Sequence, residues 1–161
     1  MEIMKIREIT PQDDAQMAHI LRTCLEQLHL NLPHTAYYDP FVDHLSEWYA
    51  KTPAAKYFVA LADDGRVVGG CGVGPIAPEE GIAELQKLYV DPEYRHHGTA
   101  TQLLPPCFEF AKQHYQKLYL ETFDTMLAAN QLYLKVGFEQ LDKPLPQSEH
   151  GACNVWYLMT L

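Results

Sequence analysis

A chain of 161 residues, 47% apolar and 20% charged, is long enough to bury one full core, too short for two, and not of disordered composition. A formal net charge of −9 with scattered lysines and arginines argues against non-specific nucleic-acid binding. Charges at Glu2, Lys5, Arg7 and Glu8 leave no signal-peptide core, and the longest fairly apolar uncharged run, Val67 to Pro78, is too short and too glycine-rich to cross a bilayer; a cytoplasmic protein without a membrane segment is expected.

Ile3 to Ile9 alternates as a first strand. Thr10-Pro11-Gln12-Asp13 is a helix start, with a hydroxyl cap, a proline at the first helical position and an acid in the first turn. Met17, Ile20, Leu21, Cys24, Leu25 and Leu28 follow at helical spacing. Asp39-Pro40 reads as a second helix start, with Phe41, Leu45 and Trp48 on one face and Lys51-Thr52-Pro53 as its end. Lys56 to Ala62 and Val67 to Gly74 form a hairpin about Asp63-Asp64-Gly65. Gly69, Gly70, Gly72 and Gly74 lack the third glycine of a dinucleotide fingerprint, and no helix follows them. They read as a strand end or bulge with close backbone packing.

Gly81 to Val90 is the next strand. A turn at Asp91-Pro92-Glu93 leads through Arg95-His96-His97-Gly98 into a helix whose buried face is Leu103, Leu104, Cys107, Phe108 and Ala111. Pro105-Pro106 within it predicts a kink near Thr101 to Leu104, or a break. Lys117 to Thr122 is a strand and Met126 to Lys135 a helix. Gly137-Phe138-Glu139 ends that helix and opens a short strand. Lys143 to Gly151 is a loop, and Ala152 to Leu161 is the last strand. The order β-α-α-β-β-β-α-β-α-β-β predicts a single α/β (α+β mixed) domain over residues 1–161, a mixed central sheet with helices on both faces. Cys24, Cys71, Cys107 and Cys153 are far apart without a Cys-x-x-Cys, which predicts buried free thiols. His19, His29, His34, His44, His114 and His150 show no metal-site spacing, so no metal is expected.

The segment from Ala83 to Ala100, AELQKLYVDPEYRHHGTA, is a strand, a polar turn and a helix start. The first N–H groups of a helix lack internal partners and carry the positive end of its dipole, so this is a ready place for an anion. Gly98 lets a phosphate approach the main chain, and Arg95 can add charge-assisted hydrogen bonds. Here the chain resembles the GNAT superfamily of acyl-CoA-dependent N-acetyltransferases. That family carries Gln/Arg-x-x-Gly-x-Gly/Ala after its fourth strand; this chain has Arg95-x-x-Gly98-x-Ala100. Downstream, Leu132-Tyr133-Leu134-Lys135-Val136-Gly137-Phe138 resembles the family's Leu-Tyr-x-x-x-Gly-Phe.

The resemblance implies a GNAT-like fold, with a mostly antiparallel sheet of about seven strands flanked by about four helices. It implies acetyl-CoA as cosubstrate, and transfer of the acetyl group to a primary amine by direct attack in a ternary complex. The pyrophosphate would lie on backbone N–H groups of His96, His97, Gly98, Thr99 and Ala100, beside Arg95. Leu88, Tyr89 and Val90 would run along the pantetheine arm like an added strand, one of their N–H groups serving as oxyanion donor. Ala129 would leave room for the arm, and Met126 stands where the family has an asparagine.

Glu84 is the implied general base, with Glu121 on the next strand as competitor; the other reading is a carboxylate paired with Lys87 or Arg66. Tyr133 is the implied general acid, the other reading being a core aromatic. His96 and His97 either add charge near the phosphates or sit, at least one of them, in a solvated loop. Loops containing His34, Tyr37 and Tyr38, and Ser148, Glu149 and His150, are placed by the resemblance at the acceptor pocket, where Glu149 would suit an ammonium group. Small amines, amino acids, peptides and protein lysines are all compatible acceptors, and a strand edge near the C-terminus is compatible with a homodimer. The alternative function is a non-catalytic acyl-CoA-binding sensor or interaction domain. A nucleotide-binding domain is a third reading, weakened by the missing glycine fingerprint.

Overall fold

Strand β2 (Lys56–Leu61) shows how the sequence builds the molecule. Side chains alternate between the two faces of a strand. Tyr57, Val59 and Leu61 join a cluster with Met17, Ile20, Cys24, Leu45 and Tyr49. Phe58 and Ala60 join another with Leu103, Leu104, Cys107 and Ala111. The sheet is thus buried on both sides. In the computed structural model, which describes residues 2–161, α1 (Asp14–Gln27) and α2 (Leu45–Lys51) cover one face, and α3 (Thr99–His114) and α4 (Leu127–Val136) the other.

The sheet contains β1 (Lys5–Glu8), β2, β3 (Val67–Ala77), β4 (Ile82–Val90), β5 (Lys117–Thr122), β6 (Glu139–Leu141) and β7 (Val155–Thr160). Their spatial order is β1-β2-β3-β4-β5-β7-β6. Every neighbouring pair is antiparallel except β4 and β5. The element order and sheet match the α/β expectation. The edge near the C-terminus is β6, because β7 inserts between β5 and β6. Among the described residues no helix is long and apolar enough to cross a membrane, and all four cysteines are buried and free.

One local expectation needs correction and two are narrowed. The second helix begins at Leu45, not at Asp39-Pro40; a 3-10 turn over Val42–His44 precedes it, and Asp39 is committed elsewhere. Of the two readings of the glycines, a strand end or a bulge with close packing, the second holds: they lie within β3, whose pairing with β4 shifts register between Gly70 and Gly72. A Cβ on Gly70 or Gly72 would stand 2.5 Å from the ring of Tyr57, so the glycines clear space for that buried tyrosine. Of the kink or break expected in the third helix, the break is absent: α3 runs unbroken through Pro105 and Pro106. Proline 105 faces solvent, as does Thr101 one turn back, so water can reach the carbonyl left without a donor. Meanwhile Leu103, Leu104, Cys107 and Ala111, at most 1% exposed, hold the helix to the sheet.

A bulge in β4 sets up the site. Gly72 pairs with Gln86 and Gly70 with Tyr89, so β4 carries one extra residue over this interval. Lys87 has a left-handed φ of 52°, and its carbonyl accepts a 2.7 Å hydrogen bond from the Tyr57 hydroxyl. The glycines, the tyrosine and the bulge form one packed unit.

Candidate active site

β4 and β5 pair only at Ile82–Lys117, Ala83–Leu118 and Glu84–Tyr119. Beyond Glu84 they part, and the rest of β4 keeps β3 on one edge only. Two cavities occupy the opening, of about 420 and about 540 Å³, and Leu88, Tyr89 and Met126 line both.

The larger cavity is lined by Leu88, Tyr89, Val90, Arg95, His96, Gly98, Thr99, Ala100 and Ala129. Gly98 caps α3 with φ 77°, a conformation that favours glycine. The first helical bond runs from the Gln102 N–H to the Gly98 carbonyl. The backbone N–H groups of residues 96–101 find no acceptor among the described residues. Unpaired donors at a helix start are the arrangement that favours an anion. The Thr99 hydroxyl is buried beside them without a partner. His97 does not line this cavity. Its ring turns to Glu2, at 3.0 Å, and lies against Tyr94. Cys24, which sequence reasoning took only as a core thiol, lines the cavity and lies 3.8 Å from the Arg95 guanidinium.

The smaller cavity holds the ionisable groups. Glu84 accepts a 2.8 Å bond from the Gln86 amide, which in turn accepts from the buried Tyr49 hydroxyl at 2.6 Å. It pairs with neither Lys87 nor Arg66; Arg66 lies over the Tyr94 ring. Burial, reinforced by the nearby Glu121 carboxylate and opposed by the Gln86 hydrogen bond, pushes Glu84 up to about 7. Tyr133 is buried, packs on Phe138 and Tyr157, and also lines this cavity. Its hydroxyl bonds to no described residue, unlike that of Tyr157, which donates to Asn130 at 2.6 Å. Asn130 is more than a polar helix position, since its amide also donates to the carbonyls of Phe123 and Met126 and fixes the start of α4.

A chain of charges crosses the opening. Lys87 on β4 meets Asp39 at 2.6 Å, and Asp39 meets His150 Nε2 at 3.0 Å. His150 Nδ1 lies 3.8 Å from Glu121 on β5. Glu121 also accepts from the Tyr119 and Ser148 hydroxyls and the His150 N–H. Burial alone would lower His150, but its hydrogen bond to Asp39 and the attraction of the Asp39 and Glu84 charges together outweigh this and raise it. Burial would raise Asp39; His150 and Lys87 outweigh it and hold that carboxyl low. Sequence reasoning placed His150 here by loop position but missed Asp39 and Lys87, which are 48 residues apart and show no spacing signal. His34, Tyr37 and Tyr38 do not line the cavity; Phe41 and Trp48, stacked 4.8 Å apart, do. Glu149 lines it without a hydrogen-bond partner among the described residues.

Residues 15–138 match the profile of the Acetyltransferase (GNAT) family. The chain belongs to the GNAT family. It is 33% identical over 159 residues to the uncharacterized N-acetyltransferase YjgM of Escherichia coli K12, covering 97% of this chain and 94% of that protein. Its fold is that of a GNAT-family acetyltransferase from Staphylococcus aureus Mu50, with TM-score 0.83, 20% identity and coverage of 98% and 99% of the two chains. The PaiA N-acetyltransferase of Thermoplasma acidophilum, solved in complex with coenzyme A, has TM-score 0.75 at 18% identity over 99% of this chain and 100% of that one. As a GNAT protein the chain is an acyltransferase of the N-acetyltransferase class, and the GNAT family uses acetyl-CoA. The non-catalytic and nucleotide-binding readings are set aside.

Proposed function

We propose that the chain transfers an acetyl group from acetyl-CoA to a primary amine by direct attack in a ternary complex. The carrying observation is the row of unpaired N–H groups at residues 96–101, opening on a cavity that joins the carboxylate cavity at Leu88, Tyr89 and Met126. The donor set suits a pyrophosphate, with Arg95 beside it. The unpaired edge of β4 over Leu88, Tyr89 and Val90 suits the pantetheine arm, which would bring the thioester towards Glu84 and Tyr133. The relative from Thermoplasma acidophilum, solved with coenzyme A, supports the same cosubstrate here.

In the reaction, the amine nitrogen attacks the thioester carbonyl. The C–N bond forms, the C–S bond breaks, and CoA leaves as a thiolate. Glu84, with one oxygen free of partners and an affinity for protons matched to neutral pH, takes the proton lost by the amine. A backbone N–H of the bulged segment stabilises the oxyanion. Tyr133, whose hydroxyl has no other engagement, protonates the thiolate.

Calorimetric titration with acetyl-CoA, CoA and ATP tests the reading. Micromolar binding of the CoA species, lost in Gly98→Glu, is expected. Absence of CoA binding would overturn the cradle and the roles of Glu84 and Tyr133 with it.

A further inference from the structure

We infer that the acceptor is an amine bearing a second positive charge and no nearby carboxylate, with Glu149 as the residue that selects for that charge. The inference rests on the smaller cavity being the acceptor site. Its acidic and basic lining consists of the carboxylates Asp39, Glu84, Glu121 and Glu149 against two basic side chains, Lys87 and His150. Both cations are already engaged. Lys87, 5% exposed, is held 2.6 Å from Asp39. His150 lies between Asp39 and Glu121. An acceptor carboxylate therefore meets Lys87 almost shut off by burial and His150 with both ring nitrogens already facing carboxylates.

The negative groups are not equally engaged. Both oxygens of Asp39 and both of Glu121 accept hydrogen bonds. One oxygen of Glu84 and both of Glu149 have no partner among the described residues. The cavity therefore offers two free acidic positions, one half-buried on β4 and one exposed on the loop before β7. It offers no free basic position. The stacked rings of Phe41 and Trp48, which line the same cavity, supply an apolar wall for an alkyl chain. An amine approaching Glu84 gives up its proton there and reacts. A second ammonium group stays charged and settles at Glu149, whereas a carboxylate in that place meets only repulsion.

Three four-carbon probes separate these cases: 1,4-diaminobutane, butylamine and 4-aminobutyrate, assayed by release of CoA thiol at low salt. The expected order of kcat/KM is diamine, then monoamine, then amino acid. Glu149→Gln should reduce the diamine-to-monoamine ratio by about fivefold, the scale of one exposed ion pair. Glu149→Lys should place 4-aminobutyrate above the diamine. Wild-type turnover of 4-aminobutyrate equal to or above that of the diamine overturns the inference, as does a diamine preference that survives Glu149→Gln. If none of the three is turned over, calorimetry on the CoA-loaded protein decides by binding: failure of the diamine to bind, or tighter binding of the amino acid, overturns it. Failure of acetyl-CoA itself to bind is a separate result and counts against the parent reading of the site.

Discussion

Glu84 combines two demands that pull in opposite directions. Its ordinary value is 4.5, and burial lifts it to about 7. Between those values the folded protein holds a proton that the unfolded chain has lost, so stability falls as pH rises through this window. Glu84→Gln removes the titration. The variant should therefore match wild type near pH 4 and exceed it at pH 8 by up to about 3 kcal/mol, at about 1.4 kcal/mol per pKa unit. Its kcat/KM should lose the rise through pH 7 that a base produces. Tyr133→Phe, by contrast, removes a hydroxyl with no partner to lose; it should lower kcat, keep the acidic limb, and leave the denaturation midpoint unchanged. A Gln variant with wild-type pH dependence would remove Glu84 as base. At this scale the sequence was legible only where a motif spoke. Glu84 was visible through its strand position, but its real partner, Gln86, lies two residues along the same strand and was passed over for nearby cations. Lys87 entered only as an alternative partner for Glu84, because local charge pairs are what sequence displays, whereas it reaches back to Asp39.

Elements were easier to read than their ends. Strand β5 fell on the expected residues because a short apolar run there reads as a strand buried on both faces. Helix α2 began late because Asp39-Pro40 has the chemistry of a helix start, but tertiary charge pairing claims its acid. The break expected in helix α3 came from a local rule. Two interior prolines cost about 3 kcal/mol each, and the burial of Leu103 and Leu104, about 1.5–3 kcal/mol each, offsets much of that with Cys107 and Ala111 beside them. The helix therefore survives at a disadvantage, which gives a direct test. Pro105→Ala restores the N–H donor at an exposed position, away from the residues that line either cavity. Its urea midpoint should rise, by an amount corresponding to about 1–3 kcal/mol, with acetyl-CoA affinity unchanged. A lower midpoint would mean that the proline fits a local distortion of α3 on which its packing depends.

At the scale of the whole molecule, the parting of β4 and β5 makes room for the two cavities and removes the ladder that would hold the halves of the sheet together. The chain Lys87–Asp39–His150–Glu121 spans that opening with side chains from two strands and two loops. It joins the early loop at Asp39 to the late loop at His150, 111 residues away. A backbone bond from Ala152 to His34 ties the same two loops. Asp39→Ala leaves Lys87, 5% exposed, without its counter-charge, and one-sided removal of a buried pair costs about 3–5 kcal/mol. The pH dependence has a definite sign at each end. Asp39 is held below its ordinary value, so its contribution is present above pH 3.8 and is lost as pH falls through the lowered value. His150 is raised above 6.5, so its contribution is present below that pH and is lost as pH rises through the raised value. The deficit of Asp39→Ala against wild type should be greatest between these limits and smaller beyond either. Denaturation series across pH measure the deficit, and amide exchange in the loop before β7 locates it. A deficit that is constant with pH, or exchange that stays unchanged there, would mean that the backbone tie and the packing of β7 close the opening without the charges.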